Sequence, residues 1–566
     1  MKFRTLFYSA LICATAIAWG QGAGSPVSTS SDSEIPHLRK QGTATQLMVD
    51  GKPFLALAGE LGNNTATSLE YMQHVWPKLV ATKLNTALAA VSWAQIEPEE
   101  GKFDFSVLDG VIRGAREHNL RLVLLWFGSW KNGLSSYPPD WVKKDFERFP
   151  RAQNAAGRSI ELLSPFSEAN GEADARAYAA LMRHVKAVDG QQHTVIMIQV
   201  ENEIGVPNSR DRSAAANQAF AGTAPKELMD YLQQHKEALI PELHQVWEAN
   251  GFKTAGTWQE VFGTNLATDE IFMAWHYARY VDRVAAAGKA EYALPMYVNG
   301  WVSGFPKDNQ RPNGSSGSPM PDTIDIWQAG APHIDLLGPD IYDYDYATMC
   351  ARFTRAGNPL FIPETRGLPP NGLEARVLYA FGRHDAIGFS PMGIERPAVP
   401  DVQLTSAYEV IQQLAPLISE HQGNGTMSAV LLGANDGPQK VQVGNYSLEC
   451  SFLKPRVLPG SPQPQPPFPN AAAIFIAAGP DEFYAAGNGV TVLFTPTTAG
   501  PPQAGLATVE EGVFVDGRWI PGRRLAGDDT ATPALVLPRL HVVEDQPALF
   551  GPSFKGVVRL TLYRYR

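Results

Sequence analysis

The chain has 566 residues, and 44% of them are apolar. A chain of this length exceeds what a single hydrophobic core usually organises, so one large and one small domain are expected. Its formal net charge of -10 argues against a phosphate backbone or an anionic membrane surface as the main partner. Nucleic acid and membrane are therefore not expected as partners of the mature protein.

The N-terminus has the order of a Sec-type signal peptide. Two basic residues precede an apolar run over residues 6–19, and small residues follow it. The run is short for a membrane span, whereas charge, apolar segment and small-residue exit are typical of a cleaved signal. Residues 1–20 are expected to be the signal peptide and residues 21–40 a flexible lead-in. The mature protein is expected to be periplasmic or secreted.

Residues 41–422 alternate buried apolar runs with amphipathic segments. The Asp50-Gly51 pair is a strong two-residue turn signal, which predicts a hairpin before the first buried strand. Short runs of Val, Ile and Leu without polar alternation predict parallel strands buried on both faces. Eight such strands are predicted, at residues 55–58, 84–91, 120–127, 195–200, 295–298, 334–338, 360–363 and 386–390. Eight strands alternating with helices predict an α/β fold, a (β/α)8 TIM barrel.

The predicted helices include one region that exceeds what a barrel needs. The barrel helices with the clearest spacing are residues 68–83, 107–118, 176–188 and 404–418. Residues 213–291 are mostly helical as well. Because one crossover helix is much shorter than this, the region is expected to form an elaborated loop around the pocket.

After residue 422 the helical periodicity is lost. Short strands separated by Gly, Pro and Asp turns predict that residues 423–566 form a smaller all-β, sandwich-like domain. The proline-rich segment 458–469 is expected to be an extended surface loop. Cys350 and Cys450 are the only cysteines after the signal, and their spacing leaves a disulfide and two buried thiols as alternatives.

Carboxylates follow two of the predicted strands, at the end where TIM barrels carry their catalytic residues. Glu201, Asn202 and Glu203 end strand four, and Glu364 ends strand seven. Glu201 is expected to face away into the barrel wall. Two carboxylates in different environments can cleave an acetal, since one protonates the leaving oxygen and the other captures the oxocarbenium-like centre. The alternative for strand four alone is that a glutamate caps a helix or pairs with an arginine.

The inventory of strand ends indicates no metal and no organic cofactor. No His/Cys/Asp cluster has metal-ligand spacing, and no Gly-rich loop could cradle a phosphate. An oligosaccharide is therefore the expected partner, and its candidate contacts beside Asn202 are Glu60, Trp93, Trp130, Asn299, Trp301 and Tyr342. Each tryptophan could instead pack in the core, and Glu60 could neutralise an arginine.

Three more polar residues near these strand ends have open roles. Arg366 could hold Glu364 ionised through its charge, or it could point outward. Asp340 and Asp343 could do no more than shape the loop around Tyr342.

Four motifs together resemble glycoside hydrolase family 35, the β-galactosidases of the retaining clan A. They are PFLALAGE on strand one, SWAQIEPEEGKFDF on strand two, IQVENEIG on strand four and PLFIPE on strand seven. The resemblance implies that Glu203 is the acid/base, that Glu364 is the nucleophile and that Asn202 binds the sugar hydroxyl next to the anomeric carbon. The segment GPDEFYAAGNGVTVLFTP resembles the C-terminal domain of a bacterial subgroup that includes xyloglucan-degrading β-galactosidases.

The resemblance implies an exported, retaining exo-glycosidase that removes terminal β-D-galactose from plant cell-wall oligosaccharides such as xyloglucan side chains. The chain departs from the family at residues 90–92 (AVS) and 128–130 (GSW), where hydroxyl-reading groups of the galactose subsite are missing. A β-glucosidase or transglycosylase on the same fold is therefore an alternative. A non-catalytic carbohydrate-binding protein is a second one.

Overall fold

The structure is a computed structural model. It describes residues 34–207, 209–302, 315–342, 345–366, 372–453, 470–527, 530, 534–537 and 556–566. The predicted signal peptide, most of the lead-in, the proline-rich segment 458–469 and Asp343 lie outside the described residues.

The large domain is a closed barrel of eight parallel strands that neighbour one another in chain order. The strands are β1 Ala56–Glu60, β2 Thr86–Ser92, β3 Arg121–Lys131, β4 Val195–Asn202, β5 Met296–Trp301, β6 Leu336–Ile341, β7 Phe361–Thr365 and β8 Gly388–Pro391. Each overlaps one of the eight apolar runs, so the predicted TIM barrel is confirmed.

A short antiparallel sheet closes the N-terminal end of the barrel. Its strands are His37–Gln41, Ala44–Val49 and Lys52–Phe54. The last two form the predicted hairpin, and both turn residues have positive φ, 50° at Asp50 and 73° at Gly51. Leu47 and Val49 belong to the same hydrophobic cluster as the side chains inside the barrel. This sheet leaves the opposite end, where the barrel strands end, uncovered.

Helices surround the barrel and build up its C-terminal rim. The helices that follow barrel strands or lead into the next are Leu69–Ala81, Ser106–Glu117, Glu168–Asp189, Leu266–Glu291, Ile324–Gly330, Tyr346–Phe353, Leu373–His384 and Val402–His421. Further helices are Trp93–Ile96, Asp140–Lys144, Ala214–Ala221, Lys226–Gln234, Pro241–Glu248 and Trp258–Phe262. Four of the described helices lie between β4 and the long helix before β5, which confirms the elaborated helical region.

Two short ribbons were not expected from the pattern. Arg151–Gln153 pairs with Ser159–Leu163, and Val206–Pro207 pairs with Ser315–Ser316. Strands of two or three residues carry too little periodicity to be distinguished from loops.

The C-terminal region is a sandwich of two antiparallel sheets, as predicted. One sheet has the order Met427–Gly433, Asn470–Ala477, Glu482–Asn488, Val557–Tyr565, Gln503–Val515 and Arg518–Arg524. The other has the order Gln439–Val443, Tyr446–Phe452, Val490–Pro496 and Leu535–Leu537. Buried side chains of both sheets, including Phe475 and Leu448, form one hydrophobic cluster between them.

The outer face of the six-stranded sheet packs against the last two barrel helices. Gly382 lies so close to the sheet that a Cβ there would be 2.7 Å from Ile474 and 2.8 Å from Ala429. Asn488 of the sheet donates a hydrogen bond to Glu374. The interface residues belong to the main hydrophobic cluster of the barrel, so the two domains share a continuous core.

Cys350 and Cys450 are buried free thiols, one in a barrel helix and one in the sandwich. This decides between the two alternatives left by their spacing. Burial raises the pKa of each thiol to about 12, so neither is a reactive thiolate at neutral pH. Among the described residues, no helix has the length and apolar character of a membrane span.

Candidate active site

The end of β4 turns through a strained backbone that separates its two glutamates. Glu201 has φ 62° and Glu203 has φ 43°, both in the left-handed region that side chains other than glycine rarely adopt. Glu201 accepts hydrogen bonds from the backbone N–H of Ser129 (3.0 Å) and of Trp130 (2.7 Å), and it is fully buried. It faces the barrel wall, as expected, and Glu203 reaches the barrel mouth.

Glu364, at the end of β7, is held as a hydrogen-bond acceptor on both oxygens. Its Oε1 accepts from the Nδ2 atoms of Asn202 (3.2 Å) and Asn299 (3.1 Å), and its Oε2 accepts from the Tyr342 hydroxyl (2.6 Å). The side chain is 3% exposed. Since each of these donors stabilises negative charge, the surroundings favour a carboxylate.

Lys131 supplies the positive charge of the site. Its Nζ lies 2.6 Å from Oδ1 of Asn202 and 3.9 Å from Oε1 of Glu364. Burial opposes its charge, but the carboxyl groups of Glu364 and Glu203 outweigh burial and raise the pKa of Lys131 above its usual value. The ammonium therefore persists inside the barrel mouth.

Sequence reasoning assigned no role to Lys131. It is positioned by an irregularity of β3, whose pairing with β4 shifts register between Trp126 and Lys131. A register shift of this kind changes the direction of a side chain, and the pattern of apolar residues does not predict the shift. The sequence did offer one signal for this role. A lysine at the end of a predicted buried strand implies a nearby acidic partner, because lysine is almost never buried unless its charge is paired.

Glu203 has surroundings opposite to those of Glu364. Its side chain faces other carboxyl groups, and the residue is 7% exposed. Burial and the negative charge of Glu364 raise the pKa of Glu203 to about 8, against the opposing effects of Lys131, Asp340 and Trp301. At neutral pH Glu203 is therefore mainly protonated.

Three carboxyl groups meet in the barrel mouth. One oxygen from each of Glu203, Asp340 and Glu364 lies within 4.8 Å of the others. Oxygens this close could hold a cation, and the Lys131 ammonium lies beside them, 3.9 Å from Glu364. The cluster thus combines several buried carboxyl groups with one positive charge.

Asn299 connects the three carboxyl groups. Its Oδ1 accepts from the backbone N–H of Glu203 (3.0 Å), and its Nδ2 donates to Asp340 (2.8 Å) and to Glu364 (3.1 Å). These bonds occupy both ends of its amide and orient the carboxyl groups. That Asn299 also contacts sugar stays a prediction.

Glu60, at the end of β1, is fully buried and close to the same group. Among the described residues, neither of its carboxyl oxygens has a hydrogen-bond partner. Burial, and then the charge of Glu364, raise the pKa of Glu60 well above its usual value. Burying a polar group without a partner is costly, so Glu60 fits a group that is satisfied by a bound ligand.

Two of the predicted tryptophan contacts lie in the core instead. Trp93 is fully buried and donates its indole N–H to Glu97 (2.8 Å). Trp130 donates to the carbonyl of Leu163 (3.0 Å), and its ring packs on Tyr280. The structure places both in packing roles, the alternative that the sequence left open for each tryptophan.

Trp301 does border the site. It is partly exposed at the end of β5, and its indole lies near enough to Glu203 to lower the pKa of that carboxyl. Its N–H nevertheless has no aligned hydrogen-bond acceptor in the described part of the chain. A polar N–H on a partly open ring is suited to a sugar.

Tyr342 contacts Glu364, and Arg366 packs on Tyr342. Tyr342 directs its hydroxyl at Glu364, and burial raises the pKa of that phenol. Arg366 is exposed and lies over the Tyr342 ring, 5.6 Å from its centroid. Of the two alternatives for Arg366, the outward position is the observed one.

Comparison with known families identifies part of the barrel and of the sandwich. Residues 70–275 match the family model of glycoside hydrolase family 42, described as β-galactosidase. This segment contains Asn202 and Glu203 but ends before Glu364. Residues 404–534 match a family described as a domain of unknown function (DUF5597).

A curated relative is the Beta-galactosidase 14 of Arabidopsis thaliana, which is 25% identical over 217 residues. The match covers 36% of this chain and spans about a fifth of that protein, 21% of its length. The resemblance to β-galactosidase glycoside hydrolases is confirmed at this level. Family 35, which the motifs resemble, and family 42 are not distinguished.

Solved structures with a similar arrangement are more distant. A β-galactosidase from Bacillus circulans sp. alkalophilus is 15% identical with a TM-score of 0.43, covering 64% of this chain and 57% of that one. The catalytic domain of a β-amylase from Paenibacillus polymyxa is 12% identical with a TM-score of 0.44, covering 63% of this chain and 97% of that one. Similarities this low carry no statement about chemistry.

Proposed function

We propose that the protein is a retaining exo-glycosidase acting on terminal β-D-galactosides. The match of residues 70–275 to a β-galactosidase family model and the similarity to a curated β-galactosidase support this proposal. Glu203 is the acid/base and Glu364 the nucleophile. The observation that carries this assignment is the pair itself: two buried glutamates in opposite environments, with side-chain oxygens within 4.8 Å of each other.

The separation supports retention over inversion. Retaining enzymes hold their two carboxyl groups roughly 5 to 5.5 Å apart, because one attacks the sugar directly. Inverting enzymes need roughly 6.5 to 9.5 Å, since a water molecule must fit between base and sugar. One oxygen of Glu203 and one of Glu364 lie within 4.8 Å of each other, so the pair fits the shorter separation of retaining enzymes.

The first half-reaction uses the two protonation states described above. The Glu364 carboxylate attacks the anomeric carbon while Glu203 gives its proton to the glycosidic oxygen, so the carbon–oxygen bond breaks and a glycosyl ester forms on Glu364. In the second half-reaction Glu203 takes a proton from water. The water oxygen then bonds to the anomeric carbon and releases the Glu364 carboxylate.

The substrate side of the proposal depends on the polar atoms left open around the pair. The carboxyl oxygens of Glu60 have no hydrogen-bond partner among the described residues, and the Trp301 N–H, which lies near Glu203, has no well-aligned acceptor there. Both groups border the carboxyl cluster. We assign them to sugar hydroxyls, with Asn202 beside the nucleophile. The proposed natural substrates are plant cell-wall oligosaccharides such as xyloglucan side chains, reached by export through the signal peptide of residues 1–20.

The test is a side-by-side assay with the 4-nitrophenyl β-galactoside and β-glucoside. We expect the galactoside to have the higher kcat/KM. The Glu364→Gln variant should lose at least about 10³-fold in kcat on it, since the amide cannot attack. Glu172→Gln, on the exposed side of the Glu168–Asp189 helix, is the matched control and should keep full activity.

Two outcomes would contradict the proposal. A kcat/KM ratio in favour of the glucoside would replace galactose by glucose as the substrate. Unchanged turnover in Glu364→Gln would remove Glu364 as the nucleophile.

A further inference from the structure

Asp340, at the end of β6, is a buried carboxyl group that the two-glutamate mechanism does not use. It is 2% exposed, and its Oδ2 accepts a hydrogen bond from Asn299 (2.8 Å). Its Oδ1 has no hydrogen-bond donor among the described residues. A carboxylate oxygen without a donor in a dry site is costly, whereas a protonated oxygen needs only an acceptor.

The charges that face Asp340 come from four strands. Glu60 on β1, Glu203 on β4 and Glu364 on β7 are acidic, and Lys131 on β3 is basic. The phenols Tyr297 on β5 and Tyr342 after β6 are neutral, because burial raises the pKa of each. One ammonium thus faces four carboxyl groups.

Donors in the site decide which carboxyl group is ionised. Glu364 receives three hydrogen bonds and is the carboxyl group nearest to the ammonium, so it takes the negative charge. Burial and the charge of Glu364 raise the pKa of Asp340 well above its usual value. Asp340 therefore carries a proton when Glu364 is ionised.

We propose that Asp340 is a positioning residue that stays protonated and donates a hydrogen bond from Oδ1 to the Glu203 carboxylate that forms during catalysis. The inference rests on the proposed function, since it assigns a partner to the acid/base. Asn299 cannot serve instead, because its amide hydrogens point to Asp340 and Glu364. Asp340 keeps its own proton, while that of Glu203 goes to the leaving oxygen.

Such a donor makes Glu203 a stronger acid. It stabilises the ionised form and not the protonated one, so it limits how far burial can raise the pKa of Glu203. A neutral carboxylic acid that donates into an apolar active site is a known device for stabilising developing negative charge.

The experiment compares Asp340→Ala with Asp340→Asn in the pH dependence of kcat/KM. The alanine variant lacks the donor, so the basic limb set by Glu203 should move to higher pH by about one unit. Unactivated glycosides should lose about 10- to 100-fold in kcat/KM, and dinitrophenyl glycosides much less. The asparagine variant can accept from Asn299 and donate to Glu203, so it should keep the basic limb and most activity.

Opposite results would overturn the proposal. If Asp340 were ionised, both variants would remove a negative charge beside Glu203, and both basic limbs would move to lower pH. If Asp340 only supported Asn299, neither limb would move.

A second readout does not depend on turnover. Infrared spectra of protein labelled with ¹³C-aspartate should show the carbonyl band of a protonated carboxylic acid at pH 7, and Asp340→Asn should lose that band. Loss of no band would contradict a protonated Asp340. If the protein shows the band but hydrolyses no glycoside, the proposed function is contradicted, whereas the protonation of Asp340 is still supported.

Discussion

Two glutamates with the same side chain have opposite surroundings in this barrel. Glu364 accepts hydrogen bonds from two amides and a phenol and lies near Lys131. Glu203 faces carboxyl groups in a buried position. In the proposed mechanism this difference lets one residue type serve both as nucleophile and as acid/base.

The pH dependence of activity follows from the proton on Glu203. Its pKa is raised to about 8, so the protonated, active form persists through neutral pH and is lost as pH rises through about 8. A profile of kcat/KM against pH on a β-galactoside should therefore have a basic limb near 8. A basic limb near the usual pKa of glutamate, about 4.3, would contradict this environment.

Replacing the acid should affect substrates unequally. In Glu203→Ala, dinitrophenyl glycosides need no protonation to leave, so their first step should slow far less than that of alkyl glycosides, which should lose about 10²- to 10⁴-fold. Pre-steady-state release of the phenol measures the first step directly. Equal losses on both substrates would mean that Glu203 does not protonate the leaving group.

At the scale of single residues, the sequence predicted which acidic side chains meet in the site better than it predicted the residues that hold them in place. Glu203, Glu364 and Asn202 follow from motifs at strand ends. Lys131 and the role of Asn299 did not, because a register shift and a three-way hydrogen bond depend on distances between strands.

The end of β3 shows how one element positions the site. Gly128 lies where β3 leaves its regular pairing with β4. A Cβ at Gly128 would be 2.5 Å from Oε1 of Glu201 and 2.8 Å from Oδ1 of Asp174, and it would also meet the Trp126 indole. A side chain at residue 128 would therefore force either β3 or these neighbouring groups to shift.

Gly128→Ala should therefore destabilise the protein by about 1–3 kcal/mol, as overpacked cores do. It should also lower kcat/KM by about 10- to 100-fold, because Lys131 would move relative to Glu364. Thermal unfolding and steady-state kinetics measure the two effects. Gly437→Ala is the matched control, since a Cβ there has no neighbour within 4 Å. Equal behaviour of the two variants would contradict the packing argument.

The positions of strands and helices could be predicted where apolar runs are long. Prediction failed where the runs are short. All eight barrel strands were located, because buried parallel strands are uninterrupted apolar runs. In the sandwich, the strand Glu482–Asn488 (EFYAAGN) is hard to predict, since its polar ends and glycine resemble turns. The helix Glu168–Asp189 begins well before residue 176, at a serine cap that the apolar spacing does not mark.

At the scale of the whole molecule, the sandwich completes the barrel. The apolar faces of the Leu373–His384 and Val402–His421 helices are covered by the six-stranded sheet, and the buried side chains form one cluster. The first of these helices directly follows the segment after β7, which carries Glu364. The sandwich thereby supports the part of the barrel that carries Glu364.

A chain that ends at residue 425 should consequently fail as an independent barrel. It would expose the helix surface that now packs on Ala429 and Ile474, a contiguous apolar patch that favours aggregation. The soluble yield should fall strongly, and any soluble fraction should unfold at lower temperature than the full chain. The full chain should unfold in one transition by calorimetry. A truncated barrel with an unchanged unfolding temperature would contradict a shared core.

The most direct test of the central claim is the configuration of the first sugar released. Proton NMR recorded during hydrolysis of 4-nitrophenyl β-galactoside separates the two anomers before they interconvert. We expect β-galactose to appear first and the α-anomer later, by mutarotation, because Glu364 and water attack from opposite faces in turn. Initial release of α-galactose would show a single displacement and would contradict the assignment of Glu203 and Glu364.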